Sequence, residues 1–281
     1  MRLVSIAAAA GPRAALLRDG RVLEIPDAAF GDAPADRRTI STLLRRGGLE
    51  ALGQLEGPGV PVEEVELLPP IGRPGKIICI GLNYRSHVEE QGAELPAKPT
   101  FFAKFANALA APGATVELPR ASRRVDYEAE VAFVIGSRCR DVPEASALEH
   151  VAGYTLLNDL SARDLQFSTP QWMPGKVFDG SAPCGPALVT PDEAGPHDAI
   201  ALELRVNGDL RQRATTAELV HSVPALVAYL SSLMTLEPGD VVATGTPAGV
   251  GSLRRPRVWL EPGDEIVISS PQLGVLSTRL R

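Results

Sequence analysis

Acidic residues stand where carboxylate chemistry is expected: Glu128 and Glu130 are separated by one residue, and Asp159 follows further along the chain. Successive side chains of a strand point to opposite faces, so Asp126, Glu128 and Glu130 are predicted to share one face of one strand. That strand runs into an apolar stretch, where a row of uncompensated carboxylates is unfavourable. A divalent cation would remove the repulsion. Carboxylates without nearby Cys or His favour Mg²⁺, Mn²⁺ or Ca²⁺ over Zn²⁺.

A more ordinary interpretation of these acids stays open at this point. An acid-x-acid pair alone is typical of a solvated strand face. Asp159 alone is typical of a helix N-cap.

His87 and Glu90 form a second candidate pair. If this segment is helical, positions i and i+3 meet on one face, and a carboxylate beside the imidazole orients the ring and raises its basicity. This is the usual arrangement of a general base that acts on water. Gly92 and the polar composition of the segment are typical of a lid. An exposed His on a polar loop is the alternative interpretation.

Basic and amide side chains follow that could contact a substrate. Arg163 and Gln166 lie one helical turn apart and one turn beyond Asp159, so they could donate to a substrate oxyanion. Lys176 is isolated among Pro, Gly and aromatic residues, which suits an electrophile or a charge clamp. Surface positions for Arg163 and Lys176 are the alternative.

The glycine-rich segment 243–251 resembles a phosphate-binding loop only superficially, because it lacks the Lys-Ser/Thr ending and no helix clearly follows. It is interpreted as a tight loop that leaves a strand. Its amides and the hydroxyls of Thr244 and Thr246 could hold a carboxylate. The sequence contains no nucleophile elbow.

The elements that must position these residues are mostly strands, since 26 Gly and 25 Pro in 281 residues favour a strand-rich fold with short elements. One helix is predicted over 222–233, with Pro224 in its first turn, and another after Asp159 or Ser161. Pro238-Gly239 and Pro262-Gly263 predict turns that enter strands. Apolar runs predict strands at 77–80, 131–135, 151–157, 201–206, 241–244, 258–260 and 266–269.

The chain is predicted to divide at residue 70 into a small N-terminal unit, residues 1–70, and a catalytic domain, residues 71–281. Asp19-Gly20 between apolar runs predicts a hairpin. Apolar spacing predicts one helix over 40–54. The Pro- and Gly-rich segment 67–75 is interpreted as a linker.

Composition and charge exclude several classes of protein. A net charge of −6 argues against nucleic-acid binding. No apolar run approaches the ~20 residues that span a bilayer, so no membrane association is expected. The N-terminal segment loosely resembles a signal peptide, but the hairpin signal after it indicates folded structure. Three cysteines without metal spacing favour free thiols in a reducing cytoplasm, so a cytoplasmic location is predicted.

Taken together, these segments resemble the fumarylacetoacetate hydrolase family over residues 70–280. The resemblance implies an α+β fold in which a strand-rich mixed β-sheet rolls around a central cavity, a small N-terminal extension, and commonly a homodimer. The matching residues are Asn83, Tyr84, His87, Asp126, Tyr127, Glu128, Glu130, Gly153, Tyr154, Asn158, Asp159, Ser161, Ala162, Arg163, Asp164, Gln166, Gly175, Lys176, Phe178, Asp179, Val206, Asn207 and Gly208, with those at 238–251.

The resemblance also implies roles for individual residues. It places Mg²⁺, or Mn²⁺ or Ca²⁺, on Glu128, Glu130 and Asp159. It implies a His–Glu dyad at His87 and Glu90. The positions of Lys176, Arg163, Gln166, Tyr84 and Thr246 imply contacts with substrate, Lys176 also acting in catalysis. Gly180 departs from the family pattern, where Thr or Ser is common, so a hydroxyl near Lys176 is predicted to be lost or displaced.

The expected reaction is hydrolysis of a C–C bond in a 1,3-diketo or 2-oxo acid, such as an acylpyruvate or fumarylpyruvate. His87, assisted by Glu90, would remove a proton from water, and the departing carbanion would be the enolate of a 2-oxo acid, stabilised by the divalent ion as a Lewis acid. Isomerisation of a 2-hydroxyhepta-2,4-diene-1,7-dioate and decarboxylation of an oxaloacetate-like acid use the same site and stay open. So does a non-catalytic metal-binding protein.

Overall fold

A computed structural model describes the backbone of residues 1–281 and every side chain except that of residue 50. The strands are β1 Arg2–Ala8, β2 Gly11–Arg18, β3 Arg21–Glu24, β4 Val60–Pro61, β5 Leu67–Leu68, β6 Ile77–Gly81, β7 Thr100–Lys104, β8 Leu109–Ala110, β9 Thr115–Val116, β10 Val125–Asp126, β11 Ala129–Ile135, β12 Val151–Asn158, β13 Ser161–Ala162, β14 Ala182–Val189, β15 Ala201–Val206, β16 Asp209–Thr215, β17 Val241–Ala243, β18 Glu265–Ser270 and β19 Gly274–Leu280. The α-helices are α1 Ile40–Arg46, α2 Arg85–Glu90, α3 Arg163–Gln166, α4 Pro191–Ala194 and α5 Val223–Leu233.

Most strands belong to one mixed 12-stranded sheet with the order β4-β3-β2-β1-β14-β12-β11-β17-β6-β7. β5 pairs with β1 and β8 with β14 beside this path. A five-stranded sheet, β16-β15-β18-β19-β9, and the short pair β10–β13 complete the described structure. The predicted strand-rich α+β class is therefore confirmed.

The centre of the large sheet is the antiparallel pair β11–β12, in which every residue is buried. Burial on both faces explains the unbroken apolar runs there, because a half-exposed strand would alternate with polar residues. The register places Ala129 opposite Asn158 and Glu130 opposite Leu157. It therefore brings Glu128, just before β11, and Asp159, just after β12, to the same end of the sheet.

The N-terminal segment contributes strands to this same sheet. β1 pairs with β14, with Leu3 opposite Leu188, and β5 pairs with β1 inside the predicted linker. The hairpin between β2 and β3 is confirmed, with Asp19 and Gly20 both at positive φ, 49° and 72°. The division at residue 70 stays a prediction.

Two sequence-based elements differ from the structure. The helix predicted over 40–54 ends at Arg46, because Gly47 and Gly48 take φ of 74° and 84°, and a 3₁₀ turn follows. The segment 258–260 is not a strand: the N–H of Val258 bonds Gly251, and that of Leu260 bonds Val125, in a loop.

Other predictions of local structure are confirmed. α5 begins after Ser222, whose side chain accepts from the N–H of Ala225, as a helix N-cap does. Gly239 and Gly263 have φ of 91° and 98° in the turns before β17 and β18. The three cysteines are free and buried. Within the described part of the chain, no helix has the length and apolarity needed to cross a membrane.

Candidate active site

Three buried carboxylates meet at the end of the β11–β12 pair. Glu130 lies on β11, Glu128 just before it and Asp159 just after β12, where the N–H of Asp159 donates to the carbonyl of Glu128 at 2.9 Å. One carboxylate oxygen from each of the three lies within 4.8 Å of the others. Glu128, Glu130 and Asp159, which were grouped from the sequence, are therefore close together in the structure. The two glutamates do not lie on a solvated strand face, and Asp159 is not a helix N-cap.

Asp126 is not part of this cluster, so the prediction of one strand face shared by Asp126, Glu128 and Glu130 is wrong. β10 ends at Asp126 and β11 begins at Ala129. Between them the N–H of Glu128 donates to the side chain of Asn158, and that of Ala129 to Gln212, which interrupts the strand.

The carboxylate of Asp126 is used elsewhere. It accepts from Arg163 Nε at 2.9 Å and from the N–H groups of Gly251 and Ser252 at 2.7 and 3.0 Å. It therefore holds the loop after β17 and the guanidinium of Arg163 in place.

Basic side chains surround the carboxylates. Lys176 Nζ lies 2.8 Å from Glu128 Oε2 and 2.9 Å from Asp159 Oδ2. Lys104 Nζ lies 2.7 Å from Asp159 Oδ1, and Arg163 Nη2 lies 2.7 Å from Glu128 Oε1. Lys176 and Arg163 are buried, so a surface position describes neither. Sequence reasoning missed Lys104. Its only distinguishing feature in the sequence is its position at the end of a strand that contains two aromatic residues.

Glu130 is the one member of the cluster without a cation beside it among the described residues. It accepts the N–H of Gly245 at 2.8 Å. Burial, with the negative charges of Asp159 and Glu128, raises the pKa of Glu130 well above its ordinary value. Burial also opposes ionisation of Glu128, but Lys176 and Arg163 outweigh it and lower the pKa of that carboxyl to about 2.

This charge balance fits a divalent cation. Four buried acids, the cluster and Asp126, face three cations, Lys104, Arg163 and Lys176, and the excess negative charge falls on Glu130. Three converging carboxylate oxygens without Cys or His form the ligand set of a hard ion such as Mg²⁺, Mn²⁺ or Ca²⁺.

The predicted helical pairing of His87 and Glu90 is confirmed on α2. His87 Nδ1 lies 3.2 Å from Glu90 Oε2, and His87 is buried, so the exposed-loop interpretation is wrong. The other carboxylate oxygen of Glu90 accepts the N–H of Gly249, which ties α2 to the glycine-rich loop. His87 Nε2 lies 2.7 Å from the amide nitrogen of Gln91. With the Nδ1 proton given to Glu90, Nε2 is the acceptor that a general base requires. Gln91 was missed by sequence reasoning.

Two residues of the cluster, Glu128 and Glu130, line one cavity of about 60 Å³ together with His87. Its lining residues are Ile80, Gly81, Leu82, His87, Gln91, Phe102, Glu128, Glu130, Arg163, Gln166, Phe167, Trp172, Lys176 and Thr246. A larger depression of about 940 Å³ lies near Met1, Arg18 and Glu193, far from any cluster of this kind. Chemistry, and not size, therefore identifies the candidate site.

Aromatic rings close one wall of this cavity. Phe102 and Trp172 pack edge to face with ring centroids 5.9 Å apart, and Lys176 Nζ lies 4.9 Å from the Phe102 centroid. Trp172 lies so close over Gly81 that a Cβ there would overlap its ring. Gly81 is therefore required for this packing.

Of the other residues predicted to contact substrate, some line the cavity and others do not. Gln166 lines the cavity and accepts from Arg163 Nη1 at 2.9 Å, and Thr246 lines it and accepts from Gln212 at 2.8 Å. Thr244 instead donates to the carbonyl of Val131. Tyr84 is buried in the core and does not line the cavity, so its contact with substrate stays a prediction.

The hydroxyl that is missing at Gly180 is supplied by the next residue in the chain. Gly180 has φ of 73°, and the next residue, Ser181, donates its hydroxyl to the carbonyl of Lys176 at 2.8 Å. The hydroxyl is thus displaced by one residue and still contacts the Lys176 segment.

Carboxylates able to hold a hard divalent ion beside a buried histidine can offer one bound molecule both a Lewis acid and a proton acceptor. The comparisons with known proteins agree. The family model described as Fumarylacetoacetate (FAA) hydrolase C-terminal matches residues 76–281, and the chain belongs to this family of enzymes.

Relatives in the family carry different activities. The chain is 45% identical over 215 residues, 76% of its own length and 67% of the relative's, to the mitochondrial oxaloacetate tautomerase fahd2 of Xenopus laevis. The crystal structure of a fumarylacetoacetate hydrolase from Exiguobacterium antarcticum matches with a TM-score of 0.84 at 33% identity, covering 100% of this chain and 99% of that one. The maleylpyruvate hydrolase of Sphingobium sp. SYK-6, in complex with manganese(II) and pyruvate, matches with a TM-score of 0.81 at 33% identity, covering 100% and 98%.

Proposed function

We propose that this enzyme is a divalent-metal-dependent tautomerase of enolisable 2-oxo dicarboxylic acids, of which oxaloacetate is the shortest. The observation that carries the proposal is the His87–Glu90 pair, in which His87 is buried and lines the same cavity as Glu128 and Glu130. Keto–enol interconversion needs one base beside the carbon next to the oxo group, and the position of His87 in the cavity supports this role.

The metal is expected on Glu128, Glu130 and Asp159. When bound, it supplies a Lewis acid for the carboxylate and oxo oxygens of a 2-oxo acid. Lys104 and Lys176 hold Asp159 in position, and Lys176 and Arg163 hold Glu128.

The chain's own residues perform the proton transfer. In the keto-to-enol direction, His87 Nε2 takes a proton from the carbon next to the oxo group, and the C–H electron pair becomes the C=C bond. The C=O π pair moves to the oxo oxygen, which takes one proton from solvent, and His87 later releases its own proton to solvent. Glu90 orients the ring and stabilises the imidazolium that forms. Gln91, which is exposed, must release Nε2 first.

Similarity supports proton transfer over hydrolysis. The tautomerase relative is 45% identical over 215 residues, 76% of this chain, and the maleylpyruvate hydrolase is 33% identical over the whole chain. C–C hydrolysis, which the sequence alone favoured, is therefore the second candidate. The same His87–Glu90 pair favours it, since a base of this kind can also activate water. Cytoplasmic location, a homodimer and decarboxylation stay predictions.

One experiment separates these candidates. The enol form of oxaloacetate is added to the enzyme with Mg²⁺, Mn²⁺ or EDTA, and loss of the enol absorbance is followed. An acylpyruvate and fumarylpyruvate are tested in parallel, with products identified by mass. Metal-dependent loss of the enol without cleavage products supports the tautomerase, and formation of two acids replaces it with the hydrolase. A His87→Asn variant must lose the activity, whereas His150→Asn, a His that contacts Ser137 outside the site, must keep it.

A further inference from the structure

A second cavity, of about 360 Å³, adjoins the first. His87, Gln91, Arg163 and Phe167 line both. The second cavity is also lined by Arg124, Asp164, Val250, Ser252, Leu253, Arg257 and Trp259. A substrate seated on the acidic cluster therefore lies next to this outer cavity, with His87 at the boundary between the two.

The outer cavity carries a net positive charge, because its two guanidinium groups without ion pairs, Arg124 and Arg257, outnumber its one carboxylate, Asp164. The guanidinium groups of Arg124 and Arg257 are exposed and have no ion pair or side-chain hydrogen bond to any described residue. Arg163, by contrast, forms ion pairs with Asp126 and Glu128. The acid of this cavity, Asp164, already accepts from the Ser122 hydroxyl and from backbone N–H groups.

The walls between these charges are apolar. Phe167 is 67% exposed at the junction of the two cavities, and Val250, Leu253 and Trp259 line the outer one. Apolar walls that lead to free guanidinium groups suit a carbon chain that ends in a carboxylate.

The inner cavity is too small for a whole extended substrate. Its 60 Å³ leaves room for roughly four or five water-sized groups. That is enough for the 2-oxo acid head beside the acidic cluster, and the rest of a longer molecule must continue outward.

We propose that Arg124 and Arg257 form a subsite for the second carboxylate of a 2-oxo dicarboxylic acid longer than oxaloacetate. The proposal rests on the proposed function, since it assumes that the 2-oxo acid head binds at the acidic cluster. Chain length, set by the distance from the cluster to these guanidinium groups, is then the main determinant of specificity.

The test measures binding, so it does not depend on turnover. Mn²⁺-loaded enzyme is titrated calorimetrically with 2-oxoadipate and with 2-oxohexanoate, which has the same chain length but lacks the second carboxylate. The wild-type enzyme binds 2-oxoadipate at least about tenfold more tightly, because charge-assisted hydrogen bonds to a carboxylate are among the strongest available. Arg124→Ala and Arg257→Ala each reduce the affinity for 2-oxoadipate about tenfold and leave that for 2-oxohexanoate unchanged.

Neighbouring arginines provide matched controls. Arg123→Ala and Arg255→Ala remove exposed guanidinium groups on the same two segments that do not line the cavity, and they leave both affinities unchanged. Equal affinity of the wild-type enzyme for the two ligands, or equal losses in the control variants, overturns the subsite alone. Failure of both ligands and of pyruvate to bind overturns the proposed function and the subsite with it.

Discussion

Lys104 and Asp159 form a fully buried ion pair, with the ammonium nitrogen 2.7 Å from a carboxylate oxygen. The other oxygen of Asp159 is held by Lys176 at 2.9 Å. Both oxygens of one carboxylate are thus fixed by ammonium groups from different parts of the chain. Asp159 is therefore held in one orientation before any metal or substrate arrives.

Removing Lys104 is expected to destabilise the fold. In Lys104→Met the buried Asp159 keeps only Lys176, and the free energy of unfolding falls by about 3 kcal/mol, at the lower end of the cost of breaking a buried pair. Urea unfolding measures the change. Lys98→Met, which removes an exposed Lys, is the control and leaves stability unchanged. Equal stability of the two variants would show that the Lys104–Asp159 pair does not hold the cluster.

In the metal-free protein, replacing Glu130 by the neutral Gln and replacing Glu128 by Gln are expected to change the stability in opposite directions. Glu130→Gln removes the carboxyl whose pKa is raised by burial and by neighbouring acids, so the metal-free protein becomes more stable. Glu128→Gln removes one of the two carboxylates paired with Lys176, which keeps Asp159, and one of the two paired with Arg163, which keeps Asp126, so the metal-free protein becomes less stable. Thermal unfolding in EDTA measures both variants. A loss of stability in Glu130→Gln would contradict the conclusion that the excess negative charge of the cluster falls on Glu130.

A bound metal is expected to stabilise the native protein. At a free Mn²⁺ concentration one hundred times the Kd, the free energy of unfolding rises by about 2.7 kcal/mol, because the ion binds the folded cluster and not the unfolded chain. Thermal unfolding with Mn²⁺, Mg²⁺ or EDTA detects the shift. The shift disappears in Glu130→Gln, whereas Glu237→Gln, at an exposed ion pair, keeps it. A shift of the same size in both variants would place the metal elsewhere.

Gly81 is expected to control the aromatic wall of the cavity. In Gly81→Ala the new methyl group overlaps the Trp172 ring, so the ring moves away from Phe102 and the KM for 2-oxo acids changes severalfold. Tryptophan fluorescence reports the displacement, and steady-state kinetics reports its consequence. Gly57→Ala, where the added Cβ meets no atom, is the matched control. Unchanged fluorescence and KM would show that Trp172 does not shape the site.

Local patterns were sufficient to predict the chemistry of the cluster. Glu128 and Glu130 were found from their spacing beside an apolar run, although Glu128 lies just before β11, and His87–Glu90 was found from helical spacing, which is a short-range rule. Asp126 was misplaced because side chains from Asn158 and Gln212 interrupt the strand, and no local rule reports such long-range bonds.

Lys104 and β14 were missed for a related reason. Lys104 reaches Asp159 because β7 pairs with β6, and β6 with β17, so its role depends on a sheet order that short-range patterns do not encode. β14 contains Pro183, Gly185 and Pro186, which are typical of turns, yet tertiary pairing with β12 makes it a strand.

The measurement that tests the proton-transfer mechanism most directly is hydrogen exchange at carbon. Oxaloacetate, 2-oxoglutarate and 2-oxoadipate are incubated in D₂O with enzyme and Mg²⁺, and loss of the proton signal next to the oxo group is followed by NMR. We expect exchange on the order of 10² or more above Mg²⁺ alone, falling to background with EDTA or in His87→Asn. Exchange that matches the enzyme-free rate for every acid, or that survives in His87→Asn, would contradict the assignment of His87 as the base beside a metal-binding cluster.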